Sequence, residues 1–127
     1  MPRKKPKSQE LGTAGDRLNI RLDLAGGLRI GPGKVAVLEE IARSGSISAA
    51  GRALRISYRR TWELVEDLNT GLGVPVVETA AGGSGGGGTV LTPAGRAIIE
   101  RYRAIEMDTA VAARKHLLAL NRFRANR

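Results

Sequence analysis

There is no cysteine in the chain. That absence excludes disulfide scaffolds, thiolate zinc sites and cysteine nucleophiles together. Aromatic residues make up only 3% of the 127 residues, so the core must be built on Leu, Ile, Val and Ala. There is one histidine, His116. A metal centre would have to be almost wholly carboxylate, and a surface or interface place suits a lone histidine better. No cofactor and no metal are expected. No stretch approaches the ~20 apolar residues of a membrane span, so no membrane partner is expected. The start, MPRKKPKSQE, has the charge of an export signal but no apolar run behind it. A cytoplasmic protein is therefore expected. Acidic residues are few as well: 12 against 21 basic ones, a formal net charge of +9. A chain this small and this basic usually meets a polyanion. What is present, 42% hydrophobic and 26% charged residues, is the balance of one globular domain rather than of a disordered chain.

Residues 1–16 read as a flexible basic tail, with Arg3, Lys4, Lys5 and Lys7 set among prolines. Whether it solubilises the chain or tracks phosphates, it adds salt-sensitive affinity for DNA. Leu18, Ile20, Leu22 and Leu24 then alternate with Asn19, Arg21 and Asp23, the period of a half-buried strand. Ala25-Gly26-Gly27 reads as a turn and Leu28-Arg29-Ile30 as a short return strand. After Gly31-Pro32-Gly33, the spacing of Val35, Leu38, Ile41 and Ala42 predicts a helix that Ser44-Gly45 stops. Ser46 or Ser48 caps a second, short helix to Leu54, whose Ala49, Ala50, Gly51 and Ala53 allow close packing. Ser57 caps a third helix, from Tyr58 to about Leu72. Its buried face is Thr61, Leu64 or Val65, Leu68 and Leu72, and its other face carries Arg59, Arg60 and Glu63. This is a helix-turn-helix pattern. Two short strands, residues 75–79 and 89–91, flank a glycine-rich tip and read as a wing.

Thr92 and Pro93 then open a last helix, threonine as cap and proline at the first helical position, running to about Leu120. Ile98, Tyr102, Ile105, Thr109, Ala112 and His116 recur at spacings of four and three, one stripe along that helix. A helix this long overshoots a small domain. Its stripe needs cover, most simply from the same helix of a second copy, with packing back onto its own domain as the alternative. The fold expected is mainly α with small β: a winged helix-turn-helix over 17–92, a long C-terminal dimerisation helix over 93–120, and basic tails at 1–16 and 121–127.

The chemistry on offer is recognition rather than catalysis. Gly83 to Gly88 match the dinucleotide fingerprint, but any glycine run does, and a strand intervenes before the next helix. The carboxylates are scattered, and the adjacent pairs Glu39-Glu40 and Glu66-Asp67 point about 100° apart on a helix. No catalytic constellation remains, and no enzyme is expected. The start of the third helix is the informative place. Ser57, Tyr58, Arg59 and Arg60 stand where a recognition helix meets base edges, and arginine pairs bidentately with guanine. Glu63 lies one turn on. Ser46 and Ser48, at the start of the second helix, join the DNA-binding set. So do Gly83, Ser84, Gly85 and Gly86 at the wing tip, whose amides can approach a phosphate backbone. Trp62, the one tryptophan, is expected to pack and set the angle of its helix, a backbone contact being the lesser option.

Ser44-Gly45-Ser46-Ile47-Ser48-Ala49-Ala50, Ile56-Ser57-Tyr58, Trp62, Leu68-Asn69, the double-glycine wing and Leu91-Thr92-Pro93-Ala94-Gly95 together resemble the DNA-binding domain of the ModE family of molybdate-responsive regulators. The match runs from about residue 18 to 106. The broader LysR-type regulators share the Gly-Ser-Ile-Ser-Ala-Ala and Leu-Thr-Pro-Ala-Gly signatures. The resemblance implies a homodimer on a palindromic double-stranded operator, controlling molybdate uptake or molybdenum-related genes. Family members that sense molybdate carry C-terminal oxyanion-binding domains. Nothing follows the last helix here, so a regulator without its own sensor domain is expected: one that works without direct sensing, one served by a separate sensor protein, or a fragment of a longer chain. Two other readings stand beside it: a non-specific, nucleoid-type DNA-binding protein, and a modulator that heterodimerises with a full-length relative.

Overall fold

The computed structural model describes residues 15–80 and 88–125. Their contacts divide the chain into two compact units, Ile20–Tyr102 and a second made of Met1–Asn19 with Arg103–Arg127. The boundary expected at the start of the last helix does not fall there. The first turns of that helix belong to the same unit as the helix-turn-helix.

The first unit opens with a short hairpin, β1 (Leu22–Asp23) and β2 (Arg29–Ile30), antiparallel with Leu22 opposite Ile30. The alternation seen in the sequence survives as alternating exposure from Asp16 to Leu22, but the ladder is only two residues long. Period two reports which side faces inward; a strand also needs a neighbouring strand to bond, and among the described residues the ladder pairs only Leu22 and Asp23. Leu24, expected on the inner face, is exposed. The turn is a 3-10 turn over Ala25–Gly27, with Gly26 and Gly27 both left-handed.

Helix α1 (Pro32–Ser44) begins on Pro32 and ends at Gly45, whose left-handed backbone (φ 72°) lets its N–H bond Ile41 O at 2.7 Å. Its buried residues are Val35, Val37, Leu38 and Ile41; Ala42 faces solvent. The buried face is wider than a single stripe because α2 (Ile47–Leu54), α3 (Tyr58–Leu72) and the wing all pack on this helix. Lys34 reaches across to α3, 3.8 Å from Asp67, and donates to Arg29 O at 2.9 Å.

The wing is β3 (Val77–Thr79) and β4 (Thr89–Leu91), antiparallel with Val77 opposite Leu91 and Thr79 opposite Thr89. Helix α4 (Pro93–Asn121) follows at once. Thr92 joins the two: its hydroxyl donates to Pro75 O at 2.8 Å and accepts from Gly95 N at 3.1 Å. Asn69 ties α3 to the wing, its Oδ1 accepting from Val76 N at 2.8 Å.

One core holds these elements. Leu28, Ile30, the four α1 residues, Ala50, Val65, Leu68, Val76, Leu91, Ile98 and Tyr102 form a single buried cluster. Aliphatic side chains dominate it, as the shortage of aromatics requires. Tyr102 is the one large ring inside, and its hydroxyl donates to Ile20 O at 2.7 Å, so the polar tip is satisfied. No helix among the described residues is long and apolar enough to cross a membrane.

Glycine fixes two close approaches. A Cβ at Gly51 would stand 2.6 Å from Thr61 Oγ1 and 3.2 Å from Ile56 O, and one at Gly95 would fall on the Val76 carbonyl. The Val76 carbonyl is backbone, and Thr61 Oγ1 is tied to Ser57 O by a hydrogen bond of 2.8 Å. Gly51→Ala and Gly95→Ala should therefore each destabilise the domain by ~1–3 kcal/mol, the cost of overpacking. Urea unfolding at constant slope checks this, with Gly33→Ala, where a Cβ meets open space, as the near-neutral control.

Candidate nucleic-acid interface

The helix-turn-helix is built by two serine caps. Ser46, extended at ψ 128°, accepts from Ala49 N at 3.0 Å and opens α2. Ser57, extended at ψ 158°, accepts from Arg60 N at 3.0 Å and opens α3. Between them α2 stops at Arg55, a non-glycine residue in the left-handed region (φ 58°, ψ 42°), and Ile56 N returns to Gly51 O at 3.0 Å. The reversal is therefore tight, and Gly51 lets α3 lie against α2. Thr61 hydrogen-bonds back to Ser57 O at 2.8 Å and is fully buried. With Val65 and Leu68 it forms the inward face of α3.

That packing turns the opposite face of α3 outward. The side chain of Arg59 is 89% exposed, and Tyr58, Arg60, Trp62 and Glu63 are exposed beside it. Glu63 sits between the two arginines, 3.6 Å from Arg59 Nε and 3.6 Å from Arg60 Nη1. Pairs this long and this open to water hold little energy, so both guanidinium groups are available to an anion. Arg52 and Arg55 are exposed too, Arg52 donating to Ser48 Oγ at 3.0 Å. The four arginines between residues 52 and 60 form one basic patch. Arg52 and Arg55 lie outside the expected set, although their spacing from Arg59 and Arg60 was a visible signal.

The wing is anchored beside this surface. Thr89 N donates to Gly45 O at 2.8 Å, and Ala80 N to Gly88 O at 2.8 Å. Gly88 passes so close to the α1–α2 turn that a Cβ would lie 2.8 Å from Gly45 O. The wing-tip residues Gly83, Ser84, Gly85 and Gly86 lie outside the described residues.

The structure brings Ser57, Tyr58, Arg59, Arg60 and Glu63 together at one helix end. Ser46 is half-buried with its hydroxyl engaged in capping, while Ser48 is exposed in the first turn of α2. Two expectations need correction. Trp62 is 41% exposed and absent from the buried core cluster, so it is not the core residue its place beside the stripe suggested. It flanks the buried stripe of α3 rather than joining it. Ile98 (7% exposed) and Tyr102 (1%) lie in the core of their own domain and are unavailable to a second copy. The stripe is real, but its first part is covered from within. In the distal half of α4, Ile105 and Thr109 are half-buried, Ala112 and His116 are exposed, and Thr109 donates to Ile105 O at 2.6 Å. The large exposed apolar side chains in the later turns of α4 are Met107, Val111, Leu118 and Leu120; the first three share a face away from the expected stripe, and Leu120 lies on the stripe's side. Among the described residues no cluster of His, Cys, Asp or Glu could hold a metal.

Three helices, the second pair joined by a tight reversal, and an antiparallel hairpin clamped beside them define a winged helix-turn-helix domain. Residues 33–96, half of the chain, match the model of the bacterial regulatory helix-turn-helix proteins of the lysR family, and the chain belongs to that family. It is similar to the molybdenum-pterin-binding protein MopB of Rhodobacter capsulatus, 50% identical over 84 residues, which are 66% of this chain and 31% of that protein. It is also similar to the DNA-binding transcriptional dual regulator ModE of Escherichia coli K12, 35% identical over 103 residues, 72% of this chain and 39% of that one. The chain thus spans about a third of the length of the curated relatives it matches. Among solved structures, the CbnR DNA-binding domain in its complex with DNA superposes with a TM-score of 0.53 at 25% identity, covering 68% of this chain and 95% of that one.

The caps make a local prediction. Ser57→Ala should cost about 1 kcal/mol of stability. Amide hydrogen exchange should accelerate in the first turn of α3 and stay unchanged in α1.

Proposed function

We propose that this chain is a sequence-specific, double-stranded-DNA-binding transcriptional regulator of the ModE type, acting in the cytoplasm on molybdate-uptake or molybdenum-related genes, and not an enzyme. The observation that carries it is the exposed N-terminal end of α3, with Tyr58, Arg59, Arg60 and Glu63 presented together beside an anchored wing. A major groove admits one helix end, and Arg59 is the residue freest to pair with guanine O6 and N7. Arg52 and Arg55 supply phosphate contacts, which position without specifying. The molybdenum assignment is supported by the names and identities of the relatives. Any molybdate sensing is left to another protein or to regions outside this chain.

The same proposal includes a homodimer on a palindromic operator. It is supported by Met107, Val111 and Leu118, which share one face of α4 at spacings of four and seven and are exposed by 43%, 60% and 43%. Apolar residues at this spacing suit a pairing helix. The proposed seam is therefore this distal face, and not the stripe that begins at Ile98.

Selection from random duplexes, followed by anisotropy at physiological salt, tests the reading. The enriched site should have two-fold symmetry and bind ~10³-fold or more tighter than a scrambled duplex. Equal binding to both would favour a nucleoid-type role, for which the +9 charge is the motive. Arg59→Ala should cost ~1–3 kcal/mol on the selected site and relax base preference at one position in each half. A uniform loss on all duplexes would reduce Arg59 to a phosphate contact. Val111→Glu should convert a dimer to a monomer in sedimentation equilibrium with its far-UV spectrum unchanged. A heterodimer with a full-length relative would instead show as a monomeric wild type that co-purifies with that relative.

A further inference from the structure

The chain has only four aromatic residues, and their placement is uneven. Tyr102 is buried in the core, and Phe123 lies beyond the end of α4, 89% exposed. The other two, Tyr58 at 60% and Trp62 at 41% exposure, stand four residues apart on α3. Residues at that spacing share a helix face, so the two rings form one continuous apolar strip. Trp62 belongs neither to the buried cluster nor to the partly buried residues packed around it. The aliphatic core closes without the largest apolar side chain available, and two fifths of the Trp62 surface stays open to solvent on the helix that carries Arg59, Arg60 and Glu63.

A strip of this kind matches one feature of a base pair. In the major groove the edges of guanine, cytosine and adenine present hydrogen-bonding groups, while thymine adds a methyl group. The arginines serve phosphates and guanine; the rings serve the methyl. We propose that Tyr58 and Trp62 are specificity-determining residues that read thymine methyl groups, so that each half of the operator carries thymine at fixed positions next to the base met by Arg59. This rests on the sequence-specific reading above and deepens it.

The probe is the duplex enriched by selection, with each thymine replaced in turn by uracil, which removes the methyl and nothing else. At the thymines in question wild-type binding should weaken about fourfold per methyl, the equivalent of ~0.8 kcal/mol for one buried carbon group. Trp62→Ala should bind the thymine duplex less well and become indifferent to uracil at its position. Arg59→Ala should stay sensitive to uracil. Thermal melting establishes that Trp62→Ala is folded; should it not fold, the uracil series on the wild-type protein decides alone. Three results would overturn the proposal: an enriched site with no fixed thymine, indifference to uracil at every position, or a Trp62→Ala loss equal on enriched and scrambled duplexes, which marks a backbone contact. An enriched site indifferent to uracil removes thymine reading alone. Failure to enrich any sequence removes the sequence-specific reading, and this inference with it.

Discussion

The closeness of α2 to α3 at Gly51 is the constraint on which the rest of the domain depends. Thr61 Oγ1 occupies the space a Cβ would need, and Thr61 itself is turned back to Ser57 O. With Thr61 fixed, Val65 and Leu68 follow onto the core at the helical period, and the whole opposite face of α3 is forced outward. The exposure of Tyr58, Arg59, Arg60 and Trp62 is thus a consequence of where one glycine lies. A bulkier residue there would tilt α3, and every exposed residue on it would be re-aimed together.

The second half of the scaffold repeats the device. Gly95 lets α4 approach Val76, Thr92 bonds both Pro75 and Gly95, and Asn69 holds Val76 from the α3 side. Helix α3, the wing and the last helix therefore meet at one buried valine. The wing is held independently at its other end, by Thr89 on Gly45. Buried polar groups are few and all carry partners among the described residues, so the frame is stiff at little electrostatic cost.

Much of this was legible in the sequence, for identifiable reasons. The start of α3 could be read from a serine cap, and its inward face from the spacing of Thr61, Val65 and Leu68, because capping and the 3.6-residue period are local. Gly45 marked a helix end for the same reason: only a residue at ease with φ above zero fits there, as Gly73 does at the end of α3. The failures were all questions of what lies opposite. An apolar stripe on α4 does not say whether its own domain or another copy covers it, so Ile98 and Tyr102 were assigned to the wrong partner. Alternation at Leu18 and Ile20 does not say whether a strand lies alongside. Trp62, next to a buried stripe, looks like core until the core is seen to close without it. Within the site, the serine caps and exposed arginines followed from local rules, and the spacing of Arg52 and Arg55 from Arg59 and Arg60 was already visible in the sequence.

The division of labour that emerges is between a neutral, tightly packed interior and a charged exterior on which Arg52, Arg55, Arg59 and Arg60 follow closely along α2 and α3. The most direct test is to titrate isotopically labelled protein with the enriched duplex at physiological salt and follow the backbone amides by NMR. The account predicts shift changes concentrated between Ser46 and Glu63 and at the wing root near Thr89, with α1 and the buried face of α3 nearly silent. Changes concentrated instead on the distal half of α4, with Tyr58 to Glu63 unmoved, would contradict it.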